Sequence, residues 1–411
     1  MSTIDCIRCK GKFYNKPLTC GHQYCPIYSK IQQFKTNILQ KDHFVGTAPS
    51  VFVGRYDYPN LNVGIMAPPD KVEKEAEIYD APKEWNVRNF QVEDVLNCRG
   101  ALINSRFKSH IKAKPRFLEM TQEVALSSKP VDIEFKLEKK PTYSFKTSDV
   151  ETVLGARAKL KKASFNSTPK IDHKVDYIVS DDLKSVEQLN TLYKKGYDET
   201  FLTRVLSTGN LGLKKNRKLV PTRFSITAVD STLGNKLVKD IKNYKEIDYN
   251  FFFGGYLGNY YLILVFPRLW SYELFEMYMP FSLLNPNSEM KYTTDFEPYQ
   301  GRKKYAEETA GGFYSVRLGI LEKLKALKRQ GAVLALRFIT PEYTTPLGVW
   351  ITREATRNAM QTARTFSSEK ELLDYSKNYL LTKFNFNIDT ILKESKLFNM
   401  IKTQRTIKDY F

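Results

Sequence analysis

Four of the five cysteines fall in the first 25 residues, as Cys6-Ile-Arg-Cys9 and then Cys20-Gly-His-Gln-Tyr-Cys25. A Cys-x-x-Cys turn sets two thiolates on one side of a tight loop, and a second pair completes a tetrahedron around Zn²⁺. Cys6, Cys9, Cys20 and Cys25 are therefore read as ligands of a structural zinc ion, with His22 as a spare ligand. Four thiolates leave no open position for catalysis by that metal. Two disulfides are the alternative, which an intracellular setting disfavours, and so short a segment needs a metal or a dock to fold. Cys98 has no histidine near it in sequence and reads as a core residue.

A second constellation, Leu206 to Val238, carries six Lys or Arg against one Asp. Lys214, Lys215, Arg217 and Lys218 lie between a helix stop at Gly209 and a strand-like run from Thr222 to Val229, which includes Arg223. Asp230 closes that run before the helix-start signal Ser231-Thr232. Basic loop, buried strand, acid and new helix is the order of a phosphate-facing site at a strand's carboxyl end. A solvated loop leading into a core strand is the plainer alternative. Asp230 and the Asp181-Asp182 pair could hold Mg²⁺ or activate water, yet each precedes a helix-start signal and reads equally as an N-cap. The chain has no Gly-x-x-x-x-Gly-Lys-Ser/Thr loop and no His-Glu-x-x-His, which argues against an ATPase.

The elements that must position these groups belong to a well-packed protein. At 411 residues, with 42% apolar and 13% aromatic residues, two domains with small appendages are expected. A formal charge of +19 points to a polyanionic partner, nucleic acid ahead of membrane. No signal-peptide pattern opens the chain, so an intracellular location is expected. The apolar run from Asn250 to Trp270 is divided by Gly254-Gly255 and Gly258, and reads as a buried hairpin rather than a membrane span.

Strand and helix patterns alternate, which predicts an α/β or α+β fold with mixed sheets. Ser50 to Tyr56 and Asn62 to Pro68 form a hairpin turned at Asp57 to Asn60. Arg55 there stands beside Tyr56 and Tyr58, where guanidinium and rings could hold a phosphate and stack a base, or the rings could cap the core. Asn86 to Phe107 reads as a helix leading into Arg106, Lys108 and Lys112. Val131 to Leu137 reads as a strand, and Ser148 with Glu151 as a capping box opening a helix through Arg157 to Lys162. Lys174 to Ser180 reads as a strand, followed by two helices from Leu183 to Leu206. Pro280 to Arg302 reads as a connection at a domain boundary. Beyond it come a helix from about Ala310 to Lys328, strands at Val333 to Phe338 and Leu347 to Ile351, and three helices ending near Ile401. The expected divisions are a zinc module (1–30), a large core region (31–285), a smaller region (286–401) and a tail (402–411).

The last eight residues fit the pattern Gln, two residues, aliphatic, two residues, aromatic pair, with Gln404, Ile407, Tyr410 and Phe411 at the defining positions. This resembles the peptide by which replication and repair proteins bind the sliding clamp (PCNA): one helical turn points the aliphatic side chain and both rings into an apolar pocket.

Cysteine pairs at one end, this tail at the other, and the blocks SVFVGRY, NVGIMAP, LNCRGALINSR, LGARAKLKKA and LSTGNLGLKKNRKLVPTRFSITAVDSTLGNKL between them resemble the archaeal Nre DNA repair family over nearly the whole chain. The resemblance implies a clamp-associated factor in repair of DNA damage, with a large amino-terminal and a smaller carboxyl-terminal region; it supplies no catalytic residue set. Two readings follow. In the first, a clamp-tethered factor binds DNA through Arg55, Arg106, Arg157, Lys214, Lys215, Arg217, Lys218 and Arg223, in the cytoplasm at the nucleoid. In the second, a metal-dependent nuclease or hydrolase uses Asp230 or Asp181-Asp182.

Overall fold

The computed structural model describes residues 41–72, 75–142 and 155–403. The zinc cysteines, the clamp peptide and the Ser148–Glu151 capping box lie outside the described residues. The chain divides into two compact units, Met1–Leu233 with Thr345–Gly348, and Gly234–Thr344 with Val349–Phe411.

The first unit is built on a six-stranded sheet of β1 (His43–Ala48), β2 (Ser50–Val53), β3 (Asn60–Ala67), β4 (Ile103–His110), β5 (Val131–Leu137) and β6 (Arg157–Phe165). The order is β1-β5-β6-β4-β3-β2, with β4 and β6 parallel and the other pairs antiparallel. Period-two alternation sorts the residues between its faces. Leu61, Val63, Ile65 and Ala67 of β3 and Val131, Ile133, Phe135 and Leu137 of β5 point inward. They pack with Leu118, Met120, Val124 and Ala125 of a helix at Arg116–Leu126.

The helices of this unit are α1 (Pro82–Val87), α2 (Val92–Gly100), α3 (Arg116–Leu126), α4 (His173–Ser180), α5 (Ser185–Lys194) and α6 (Glu199–Ser207). Arg204 of α6 is an internal clamp: its guanidinium donates to the carbonyls of Ala125 (3.0 Å), Pro49 (2.9 Å) and Ser127 (2.8 Å). Burial lowers its pKa, and three carbonyls leave it no role on the surface.

Between residues 41 and 241, four expected elements differ. Thr222 to Val229 is the start of a 20-residue helix, α7 (Thr222–Ile241), not a strand. Ser225, Val229, Leu233, Leu237 and Ile241 are buried at every fourth position, the helical period. Lys174 to Ser180 lies in α4, which Asp172 caps by accepting from the Lys174 amide at 2.9 Å. The helix expected over Asn86 to Phe107 is α1 and α2 followed by β4. The helix expected through Arg157 to Lys162 is β6.

The second unit adds β7 (Lys245–Glu246), β8 (Tyr249–Tyr256), β9 (Asn259–Phe266), β10 (Ser271–Tyr278), β11 (Lys291–Glu297), α8 (Ala310–Leu327), β12 (Arg329–Gln330), β13 (Ala332–Ile339), α9 (Trp350–Ala359), β14 (Ala363–Phe366), α10 (Glu369–Phe384), α11 (Asp389–Glu394) and α12 (Lys396–Thr403). Its main sheet is ordered β11-β10-β13-β9-β8-β14, with β10 and β13 parallel, so the sheets are mixed as expected. The aromatic hairpin is β8 and β9, turned at Leu257 and Gly258. Both have positive φ (48° and 74°), and a Cβ at Gly258 would meet the Tyr343 nitrogen at 2.4 Å. No helix among the described residues is long and apolar enough to cross a membrane.

One face of this sheet is largely apolar: Leu262, Leu264 and Phe266 of β9 pack with Leu372, Leu380, Leu397, Phe398 and Ile401 of α10 and α12, around one buried carboxylate, Glu273, which accepts from the Ser395 hydroxyl and the Leu397 amide. The other face meets α8 and α9 and holds buried charge. Arg337 pairs with Glu276 at 2.5 Å and donates to Asn259 Oδ1 at 2.6 Å, and Arg317 pairs with Glu297. Residues expected as a strand at Leu347 to Ile351 are a turn with Gly348 at φ 97° and the start of α9. Strands from both sides of residue 285 share the sheet, and the division between the two compact units falls inside α7.

Candidate nucleic-acid interface

The outward face of the first unit's sheet gathers positive charge. Paired residues place Phe52 beside Gly64, Gly64 beside Arg106, and Arg106 beside Lys159 across β2, β3, β4 and β6. One row along, Asn104 stands beside Arg157, and on the other side Asn62 stands beside Lys108. Lys162 of β6 pairs with Lys136 of β5. Arg106 and Arg157 are thus diagonal neighbours on one face, and neither has a carboxylate partner among the described residues. Burial, and then the charge of Arg157, lower the Arg106 pKa, so the pair carries repulsion that an anion would relieve. Gly64 makes room for the Asn104 side chain, whose amide a Cβ there would reach at 1.8 Å, with Arg106 Cγ at 3.3 Å. Phe52 lies under the guanidinium, its ring centroid 5.9 Å from Arg106 Cζ.

Some neighbouring charges are compensated. Lys159 pairs with Glu138 at 2.8 Å and Lys108 with Asp57 at 3.2 Å. His43 bonds Glu134 at 2.7 Å and lowers the pKa of that carboxyl.

More of the expected cations converge on the hairpin end of this sheet. Ile111, just past β4, donates to the Pro59 carbonyl at 3.0 Å and accepts from the Leu219 amide at 2.9 Å, which brings Lys218 to the strand end. Val53 of β2 donates to Thr222 Oγ1 at 2.9 Å, which seats the first turn of α7, with exposed Arg223, beside the strand that leads to Arg55. Arg55 donates to the Tyr56 hydroxyl at 2.6 Å.

The remaining expected residues are placed otherwise. Lys214 and Lys215 are exposed on a 3₁₀ turn whose first amide donates to Asp182 Oδ1 at 2.7 Å. Arg217 is structural: its guanidinium donates to the carbonyls of Gly212 (2.9 Å) and Val179 (2.5 Å), and burial lowers its pKa. Asp230 is buried in the interior of α7 and is not an N-cap. Asp181 follows α4, and Lys184, not either aspartate, takes the N-cap position of α5. Among the described residues no three His, Cys, Asp or Glu side chains gather as a metal site. Lys136, Lys159 and Lys162 were assigned no site role by sequence, although outward alternation in β5 marks Lys136 and a strand reading of β6 would have marked the other two.

A family model described as "Archaeal Nre, N-terminal" matches residues 19–285, and one described as "Archaeal Nre, C-terminal" matches residues 297–410. The chain belongs to the archaeal Nre family. It is 35% identical over 356 residues to DNA repair protein NreB of Archaeoglobus fulgidus, covering 86% of this chain and 87% of that one. It is 34% identical over 339 residues to DNA repair protein NreA of Haloferax volcanii, covering 80% of each. Identity to DNA repair protein NreA of Archaeoglobus fulgidus is 32% over 365 residues, covering 88% and 90%. No solved structure matches. The two Nre regions meet between residues 285 and 297, within the second unit, whose sheet joins β10 before that point to β13 after it.

Proposed function

We propose that this Nre-family chain serves DNA repair by binding DNA on the outward face of its first sheet while its carboxyl-terminal peptide holds the sliding clamp (PCNA). The observation that carries the DNA reading is the pair Arg106 and Arg157, diagonal neighbours with no carboxylate partner among the described residues, on a face that also holds Lys136, Lys162 and the Glu138-paired Lys159. Such a face contacts phosphates and sets affinity with little sequence preference. Labelled DNA titrated at rising salt tests it: the binding constant is expected to fall steeply, by counterion release, and a constant indifferent to salt would remove the idea. The relatives named as DNA repair proteins support the repair setting; a place in the cytoplasm at the nucleoid is part of the proposal.

The clamp reading is supported by the residue pattern of Gln404, Ile407, Tyr410 and Phe411, directly after α12. Deleting 404–411 is expected to abolish co-elution with the clamp while leaving the melting temperature of the body unchanged. Co-elution of the truncated chain would overturn this. Cys6, Cys9, Cys20 and Cys25 form a donor set that suits a structural zinc ion. Metal analysis of purified protein is expected to find about one zinc per chain, and a content near zero would refute the assignment. No observation among the described residues favours the metal-dependent nuclease reading, since Asp230 is enclosed in α7 and Asp182 is engaged by the Lys214 amide.

A further inference from the structure

We propose that the tip of the hairpin between β2 and β3 stacks unpaired bases, so that single-stranded DNA is the preferred ligand at this end of the sheet. The inference rests on the reading of the sheet's outward face as a DNA surface, and adds to it which form of DNA is held. Tyr56 and Tyr58 are 62% and 63% exposed, so neither ring caps the core. Two large rings standing in water on a loop tip bury little of their own apolar area in the folded chain, and a ligand with flat faces would cover it.

The tip is braced rather than loose. Asn60 donates to the Asp57 carbonyl at 2.7 Å, Gly54 to that of Asn62 at 2.8 Å, and Ile111 to that of Pro59 at 3.0 Å, while Lys108 pairs with Asp57 at 3.2 Å. Arg55 lies 4.8 Å from the Tyr56 ring centroid, a cation over the face of the same ring. Rings on a braced loop lose little freedom on binding, which favours stacking.

Charge decides the class of partner. Lys218 and Arg223 reach the same end of the sheet, and Arg106 and Arg157 continue the positive surface along it. An aromatic pair set in a cationic track suits a polyanion whose monomers carry flat rings. Within a duplex each base face is covered by its neighbours, so the tyrosines can stack only on bases that are unpaired or displaced.

The test compares full-length protein on labelled single-stranded and duplex DNA of equal length. Replacing Tyr56→Ala and Tyr58→Ala together is expected to weaken single-strand binding about tenfold or more and to leave duplex binding within about twofold. The Tyr56→Phe, Tyr58→Phe variant keeps both rings and is expected to bind single strands as the parent does, which separates stacking from loss of fold. Equal loss on both DNAs, or unchanged single-strand binding in the alanine variant, would overturn the stacking proposal while leaving the sheet face as a DNA surface. Failure of the parent protein to bind either DNA would remove both.

Discussion

Replacing Arg106, Arg157 and Lys162 together by alanine is expected to weaken DNA binding by about 100-fold or more near 0.1 M salt, since each charge-assisted hydrogen bond to a phosphate contributes about 1.5–3 kcal/mol. The dependence of log affinity on log salt should become shallower by nearly three, about 0.9 for each phosphate that is no longer neutralised. These side chains are chosen because they share the outward face of one sheet, Arg106 and Arg157 across the β4–β6 ladder and Lys162 opposite Lys136. Lys214 and Lys215 supply the comparison. They sit on the turn held by Asp182, and their joint replacement should cost only a few-fold in affinity by removing long-range attraction. Arg217→Ala should instead lower stability, because the carbonyls of Gly212 and Val179 lose their donor. A triple variant that binds like the parent with an unchanged salt slope would sink the interface. Arg106→Lys, which keeps the charge at a half-buried position, controls for disturbed packing.

The sequence exposed the chemistry of this surface better than its geometry. Strands β3 and β5 were legible because every second residue is apolar, as in Leu61, Val63, Ile65 and Ala67, and β2 because Val51, Phe52 and Val53 form a short run of strand-favouring residues. β6 was not, because Lys162 pairs with Lys136 and Leu160 with Leu137, leaving Lys161 as the extra residue of a bulge. That bulge puts the inward residues Leu160 and Ala163 three apart, which imitates a helix and scatters the lysines. β4 hid for another reason: its inward residues read Ile103, Ser105, Phe107 and Ser109, so two buried hydroxyls erase the hydrophobic alternation.

The basic block at Leu206 to Val238 misled through the length of the window. Eight residues from Thr222 are rich in Phe, Ile, Thr and Val and favour a strand, whereas the four-residue spacing of buried positions emerges only over the 20 residues of α7. Once the strand is a helix, the supposed carboxyl end of a strand disappears, and with it the geometric reason for placing Asp230 at a phosphate. The cations gathered by the sheet came instead from elements read as helix ends. Their charge was visible in the sequence, but the β4–β6 pairing joins residues about 50 apart and is carried by no local pattern.

The second unit offers the larger stability effect. Arg337→Leu is expected to destabilise the protein by about 3–5 kcal/mol, because it leaves the Glu276 carboxylate buried without its charge partner. Glu276 and Arg337 lie on adjacent parallel strands, directly in register, on the sheet face that meets α8. Asn259 Oδ1 takes two further guanidinium bonds, at 3.1 and 2.6 Å, so the arginine is fixed in place and cannot be replaced by a shifted neighbour. A Cβ at Gly312 of α8 would come within 2.6 Å of Glu276 Oε1, so the helix backbone closes over the carboxylate and water has little access to an abandoned charge. Burial acts to lower the Arg337 pKa, but Tyr261 and Glu276 raise it on balance, so the guanidinium stays charged. Denaturant unfolding followed through tryptophan fluorescence, with fully buried Trp270 in the same unit as a reporter, measures the loss. The double variant Arg337→Leu, Glu276→Leu is expected to recover most of it, since two apolar side chains leave no unpaired charge. If the single variant costs less than about 1 kcal/mol, the pair is solvated and the closed polar face described for this sheet does not exist.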